Sequence, residues 1–116
     1  RDAQESRGLG DVYKRQLSKV TNMTNANTIR DLMVDVVNEG TAKGAYVDGI
    51  QVAGKTGTAD KANGFIDAWF VGFAPAYDPK IAVAIVVENS SDTGGVTVAP
   101  IAGNLIRDIF NQVNLN

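Results

Sequence analysis

Three strand-forming segments follow one another in the middle of the chain, with only short turns between them. They cover residues 50–58, 66–74 and 80–88, which are rich in β-branched and aromatic side chains. The turns contain the pairs Asn63-Gly64 and Asp78-Pro79. Parallel strands need a crossover of about a dozen residues or more, and these turns are too short to hold one. Consecutive segments are therefore predicted to pair antiparallel.

Amphipathic helices are predicted on both sides of these strands. The first carries apolar residues at helical spacing, with Thr24 or Asn25 expected to cap its start and Gly40 to end it. The second follows a polar loop over residues 89–95 and has an apolar stripe from Val98 to Val113. The stripe positions of the first helix are Ile29, Leu32, Met33, Val36 and Val37. The predicted fold class is α+β, in the order helix, three antiparallel strands, helix, with the helices against the sheet.

The third strand segment is the most apolar part of the chain. Residues 81–87 form an unbroken apolar run, which is typical of a strand buried on both faces. Three strands are few for a sheet that is covered in this way. We therefore expect a preceding portion of the domain to complete the sheet.

Residues 1–16 differ from the rest of the chain. They show no apolar periodicity and mix charged residues with Gly8 and Gly10. Residues 6–16 also resemble translated adaptor or vector sequence. We expect residues 1–16 to be a poorly ordered or foreign lead-in, and residues 17–116 to form the structural unit.

The composition excludes several kinds of chemistry. The sequence has no cysteine and no histidine, which removes disulfides, thiol nucleophiles and Ser-His-Asp triads, and we expect neither metal nor cofactor. The net charge is −2 and no basic run is present, so a nucleic-acid partner is not expected. Apolar stretches fall far short of the ~20 residues that a membrane-spanning helix needs. Any catalysis is expected to use Lys, Ser, Thr, Tyr or carboxylates.

Residues 52–59, which read Val-Ala-Gly-Lys-Thr-Gly-Thr-Ala, are the most informative segment. Together with Gly49, they satisfy the phosphate-binding pattern G-x-x-x-x-G-K-[ST]. A P-loop requires a helix that begins at the lysine, so that backbone N–H groups face the phosphates. This segment instead favours a strand, and a turn at residues 60–64 follows it. Nucleotide binding is therefore the remote alternative.

The Lys-Thr-Gly tripeptide at residues 55–57 resembles the Lys-Thr-Gly box of penicillin-binding proteins and serine β-lactamases. The resemblance to class B penicillin-binding proteins continues over residues 22–113. Similar segments are residues 30–42 before the box, then residues 67–75, 81–89, 94–95 and 99–102 after it. The resemblance implies a partial β-lactamase/transpeptidase-like fold. Residues 17–116 would then be the C-terminal fragment of a penicillin-binding transpeptidase domain.

The resemblance also implies roles for the residues of the box. Lys55 and Thr58 are expected to be catalytic: Lys55 as a cation that projects into the pocket, and Thr58 through a backbone N–H in an oxyanion hole. Thr56, Gly57 and Thr58 are expected to bind substrate. Hydroxyl donors suit a ligand carboxylate, and a glycine leaves room for the substrate backbone.

The implied activity of the parent protein is that of a peptidoglycan D,D-transpeptidase, which crosslinks stem peptides through a serine acyl-enzyme. The expected partners are the stem peptide, β-lactam antibiotics that mimic it, and the upstream remainder of the domain. The expected location is the extracytoplasmic face of the bacterial membrane, with the anchor outside this fragment.

The nucleophile is absent from this sequence. No serine is followed by lysine three positions later, and no Ser-x-Asn or Tyr-x-Asn occurs. The nucleophile is therefore expected upstream, and the fragment alone is expected to be inactive. The alternative function is a non-catalytic, β-lactam-sensing or scaffold domain of the same fold.

Overall fold

The computed structural model describes residues 15–113. The elements are helix α1 (Met23–Glu39), a 3-10 helix (Lys43–Ala45), strands β1 (Ala53–Asp60), β2 (Ile66–Ala74) and β3 (Ile81–Ser90), and helices α2 (Gly94–Thr97) and α3 (Ala99–Val113). The predicted α+β fold class is confirmed. The lead-in over residues 1–16 stays a prediction, because residues 1–14 lie outside the described residues.

The three strands form one antiparallel sheet in the order β1-β2-β3, as predicted. Lys55 of β1 lies opposite Val71 of β2, which in turn lies opposite Ala84 of β3. Because side chains alternate along a strand, Lys55 and Gly57 share one face of the sheet and Thr56 the other. The central strand β2 has the predicted bounds.

Strand β1 begins later than predicted. Its expected start was Ile50, but Ile50 pairs with Val47 in an isolated bridge, around Gly49 with φ +84°. Ladder pairing begins only at Ala53, opposite Phe73 near the end of β2. Before Ala53, the Gln51 carbonyl accepts the N–H of Ala76, beyond the end of β2, and β1 extends to Asp60 instead of Thr58.

The expectation that the third strand is buried on both faces is wrong for the described chain. β3 is an edge strand, and its residues alternate between half-buried and exposed. Ile81, Val83, Ile85 and Val87 pack toward the core, whereas the intervening side chains are exposed. No element within residues 15–113 covers that second face of β3.

The helix ends follow side-chain and backbone hydrogen bonds. Asn22, not Thr24 or Asn25, caps α1, because its Oδ1 accepts the N–H of Asn25 at 2.8 Å. Gly40 ends α1 as predicted and donates its N–H to the Val36 carbonyl. None of the helices described for residues 15–113 is long and apolar enough to cross a membrane.

The core lies between one face of the sheet and the helices, with α3 and Val37 of α1 both contributing to it. Its largest fully buried side chains are Phe70, Ile106, Val37, Val52 and Val98. The stripe predicted on the second helix is only partly buried, because its outer members remain exposed, including Ile101 and Leu105. The opposite face of the sheet packs against Val34 of α1 at Ala53 and Phe73, and it is exposed at Trp69, Val71 and Val86.

Candidate active-site groove

A groove of about 600 Å³ lies beside β1. It brings together Lys55, Thr56, Gly57 and Thr58, the four residues that the sequence predicted for the site. The other lining residues come from the segment after α1 and from the start of α2. They are Thr41, Thr93, Gly95 and Val96. The Lys-Thr-Gly strand is therefore one wall of the groove.

Lys55 supplies the positive charge of the groove. Its side chain is exposed, and Nζ donates to the backbone carbonyl of Thr56 at 2.5 Å. None of the ion pairs found in the described part of the chain involves Lys55. An ammonium group has three donors, so the contact with Thr56 leaves two for other acceptors. The charge is available to an anionic ligand.

The backbone of β1 presents polar groups on the edge away from β2. The Thr56 carbonyl accepts from Lys55 Nζ, which places this carbonyl on the open edge. In a strand, the N–H and C=O of one residue point to the same side, and the pattern repeats every second residue. The N–H of Thr58 therefore lies on the same open edge. A fixed backbone N–H of this kind suits a developing oxyanion.

Position 57 has room for a side chain, so packing within the described residues does not require a glycine there. A Cβ added there would meet only the Cβ of Trp69 at 3.6 Å, an ordinary contact, and Gly57 does not have a positive φ. At Gly54, in contrast, a Cβ would lie 2.5 Å from the ring of Phe70. The described residues thus require a glycine at position 54 but not at position 57. The free space at Gly57 lies on the Lys55 side of the sheet.

The two threonines of the segment join β1 to the other walls of the groove. Thr56 is 8% exposed, and its Oγ1 lies 2.9 Å from Oγ1 of Thr41. Thr58 is exposed, and its Oγ1 accepts the N–H of Gly94 at 3.3 Å. The Thr58 hydroxyl keeps its own hydrogen for donation to a ligand.

Sequence reasoning missed the residues that the fold brings to β1 from elsewhere, among them Thr41 and Val96. The pair Gly94-Gly95 was the available signal. A Cβ on Gly94 would lie 2.7 Å from the Gly57 carbonyl, and one on Gly95 would lie 2.5 Å from the Thr41 carbonyl. Gly94 therefore lets α2 approach the strand closely, and Gly95 lets it approach the segment after α1.

The structure does not provide a P-loop. Residues 54–56, which would have to bind phosphate at a helix start, lie inside strand β1. No helix begins at Lys55, so the backbone N–H groups do not converge as phosphate binding requires. The remote alternative of nucleotide binding is wrong for this geometry.

The comparison with known families decides the assignment. The model of the penicillin binding protein transpeptidase domain matches residues 13–107. The chain belongs to this family. The predicted resemblance to the transpeptidase domain of class B penicillin-binding proteins is therefore confirmed.

Individual transpeptidase relatives agree with this membership. The chain is 42% identical to stage V sporulation protein D of Bacillus subtilis, over 75% of the chain and 15% of that protein. It is 48% identical to the peptidoglycan D,D-transpeptidase PbpA of Mycolicibacterium smegmatis, over 66% of the chain and 17% of that protein. The chain thus spans less than a fifth of the length of these two relatives.

Solved transpeptidase structures share the fold. The D,D-transpeptidase domain of a peptidoglycan glycosyltransferase from Eggerthella lenta matches with a TM-score of 0.66 and 46% identity, over 79% of this chain and 21% of that one. Penicillin-binding protein A from M. tuberculosis, in an imipenem acyl-enzyme complex, matches with a TM-score of 0.62 and 40% identity. That match covers 72% of this chain and 19% of the other.

Proposed function

We propose that this chain forms the Lys-Thr-Gly wall of the active site of a peptidoglycan D,D-transpeptidase. The complete enzyme would crosslink stem peptides through a serine acyl-enzyme and would be acylated by β-lactams. The observation that carries the proposal is the groove beside β1, where a lysine without an ion pair among residues 15–113 adjoins an open strand edge. The names of two relatives as D,D-transpeptidases support the same reaction class.

The groove residues have separate roles in this proposal. Lys55 provides positive potential and hydrogen-bond donors, and the Thr58 N–H stabilises the oxyanion of the tetrahedral intermediate. Thr56 and Thr58 bind substrate, Thr56 through its backbone groups on the open edge and Thr58 through its hydroxyl. Gly57 leaves room for the substrate backbone.

The nucleophile has to come from the upstream remainder of the transpeptidase domain, because this sequence has no Ser-x-x-Lys. That remainder is also the proposed cover for the open sheet face. Trp69, Val71 and Val86 are 44%, 45% and 42% exposed, and the strand register places them on the Lys55 face. An apolar patch of this kind marks a contact surface. Segments that fill it would arrive next to Lys55.

We place the complete protein at the extracytoplasmic face of the bacterial membrane, with its anchor outside this chain. Peptidoglycan stem peptides lie on that side of the membrane. This location follows from the proposed substrate.

A chimera tests the proposed function. The chain replaces the segment that it matches in PbpA of M. smegmatis, and covalent labelling by a fluorescent penicillin is measured. We expect labelling of the chimera, strong loss of labelling in Lys55→Ala, and no labelling of the 116-residue chain alone. A chimera that melts cooperatively but takes no label would contradict the proposal.

A second measurement separates catalysis from the sensing alternative. The same chimera is given a stem-peptide analogue that ends in D-Ala-D-Ala, and release of the terminal D-Ala is followed. A transpeptidase releases D-Ala, whereas a β-lactam-sensing domain is acylated by penicillin and releases none.

A further inference from the structure

We propose that Thr41 is a positioning residue for the Lys-Thr-Gly strand, and that it acts on Lys55 through Thr56. This inference rests on the proposed function. It concerns a residue outside the box, directly after Gly40 at the end of α1. Its role is to hold an orientation, so Thr41 is not placed in contact with the reacting atoms.

The contacts connect these residues in series. Oγ1 of Thr41 lies 2.9 Å from Oγ1 of Thr56, and the carbonyl of Thr56 accepts the Nζ of Lys55. Thr56 takes part in both contacts. Thr56 therefore links Thr41 to the Lys55 ammonium group, through its hydroxyl on one side and its backbone carbonyl on the other.

The hydrogen bond between the two hydroxyls matters because Thr56 is buried. Thr56 is 8% exposed, and Thr41 is the one partner found for its hydroxyl within residues 15–113. A buried hydroxyl without a partner is costly, so loss of the Thr41 hydroxyl would favour another Thr56 rotamer. A change in this side chain would also move the peptide that binds Lys55.

Thr41 lies outside the buried core, so replacing it can change the orientation of Thr56 without a large loss of folding stability. Thr41 itself is exposed and lines the groove, and neither of the buried apolar clusters described within residues 15–113 includes it. The carbonyl of Thr41 lies directly under Gly95, where a Cβ would be 2.5 Å away. The backbone at Thr41 thus lies close to α2, and its hydroxyl contacts Thr56.

The PbpA chimera provides the kinetic test. Thr41→Val removes the hydroxyl at nearly constant volume, and we expect about a tenfold slower acylation by penicillin, the effect of one hydrogen bond. Thr41→Ser restores the hydroxyl and the rate. Thr56→Val should be slow as well, and the double variant should be no slower than Thr41→Val, because the two changes remove one interaction.

The matched control is Thr28→Val, which removes a hydroxyl that donates to the Thr24 carbonyl on the exposed side of α1. It should acylate at the unsubstituted rate. The inference is overturned if Thr41→Val keeps that rate, if Thr41→Ser does not rescue it, or if the two valine effects add. Loss of the cooperative thermal transition in Thr41→Val would also overturn it, because the hydroxyl would then support the fold.

Amide hydrogen exchange in the 116-residue chain tests the inference without any activity. Exchange at Gly57, which lies opposite Trp69, should be faster in Thr41→Val and unchanged in Thr28→Val. Equal exchange in the two variants would refute the role of Thr41. A chimera that takes no label would instead refute the proposed function, so the two failures are distinguishable.

Discussion

Lys55 carries a charge that no described carboxylate neutralises, and this makes its contribution measurable by itself. Lys55→Ala in the PbpA chimera should lower the second-order acylation rate by about 10²–10³-fold, as when one preorganised donor is lost. The thermal midpoint should change little, because the side chain is exposed. Lys80→Ala, which removes an exposed lysine paired with Asp78, is the control and should acylate normally. Equal losses in both variants would contradict the role of Lys55.

Thr58 offers two groups that substitutions can separate. Thr58→Ala removes a hydroxyl but keeps the N–H, so it should cost only about 1–3 kcal/mol of acylation free energy. Thr58→Ser keeps the acceptor for the Gly94 N–H and should be close to unsubstituted. Thr58→Pro removes the N–H itself and should cost at least as much as Lys55→Ala. If Thr58→Ala is as damaging as Lys55→Ala in a stably folded chimera, the division of roles is wrong.

Strand β1 contains two glycines with opposite requirements. Gly54→Ala would drive a methyl group into the ring of Phe70 and should destabilise the chain by about 1–3 kcal/mol. Gly57→Ala meets only an ordinary contact and should stay within about 0.5 kcal/mol of the unsubstituted chain. Urea unfolding of the two variants measures the difference. Similar destabilisation by both would show that the space at Gly57 is needed for packing.

Elements could be predicted from the sequence where local signals determined them. The bounds of β2 were correct, because turn residues flank a run of β-branched and aromatic side chains. The start of β1 was wrong, because the bridge between Val47 and Ile50 is a pairing that no local pattern announces.

The candidate site also contains residues that the sequence predicted and residues that it did not. Residues 55–58 were found because one motif contains them all. Thr41 and Val96 were missed, because they reach the groove only through the packing of α1 and α2 around the strand.

At the scale of the whole molecule, one face of the described sheet is buried, and the other is exposed except where Ala53 and Phe73 pack against α1. Two neighbouring aromatic residues of β2 lie on opposite faces: Phe70 on the core face is fully buried, and Trp69 on the Lys55 face is 44% exposed. Phe70→Ala should cost about 3–5 kcal/mol of unfolding free energy, and Trp69→Ala much less. Trp69 is the only tryptophan in the sequence, so acrylamide quenching of its fluorescence checks its exposure directly. A Trp69 that resists the quencher would show that the open face is covered in the isolated chain.

The contact between Thr58 and Gly94 spans 36 residues, and it has a consequence for how the protein is made. A ribosome synthesises β1 well before α2, so the nascent chain holds the Lys-Thr-Gly strand while one wall of its groove does not yet exist. During that interval the edge of β1 is a template for mispairing with other chains. The last helices therefore complete the core and the groove only after β1 has been synthesised, and a stop codon before Gly94 would leave the core face of the sheet exposed.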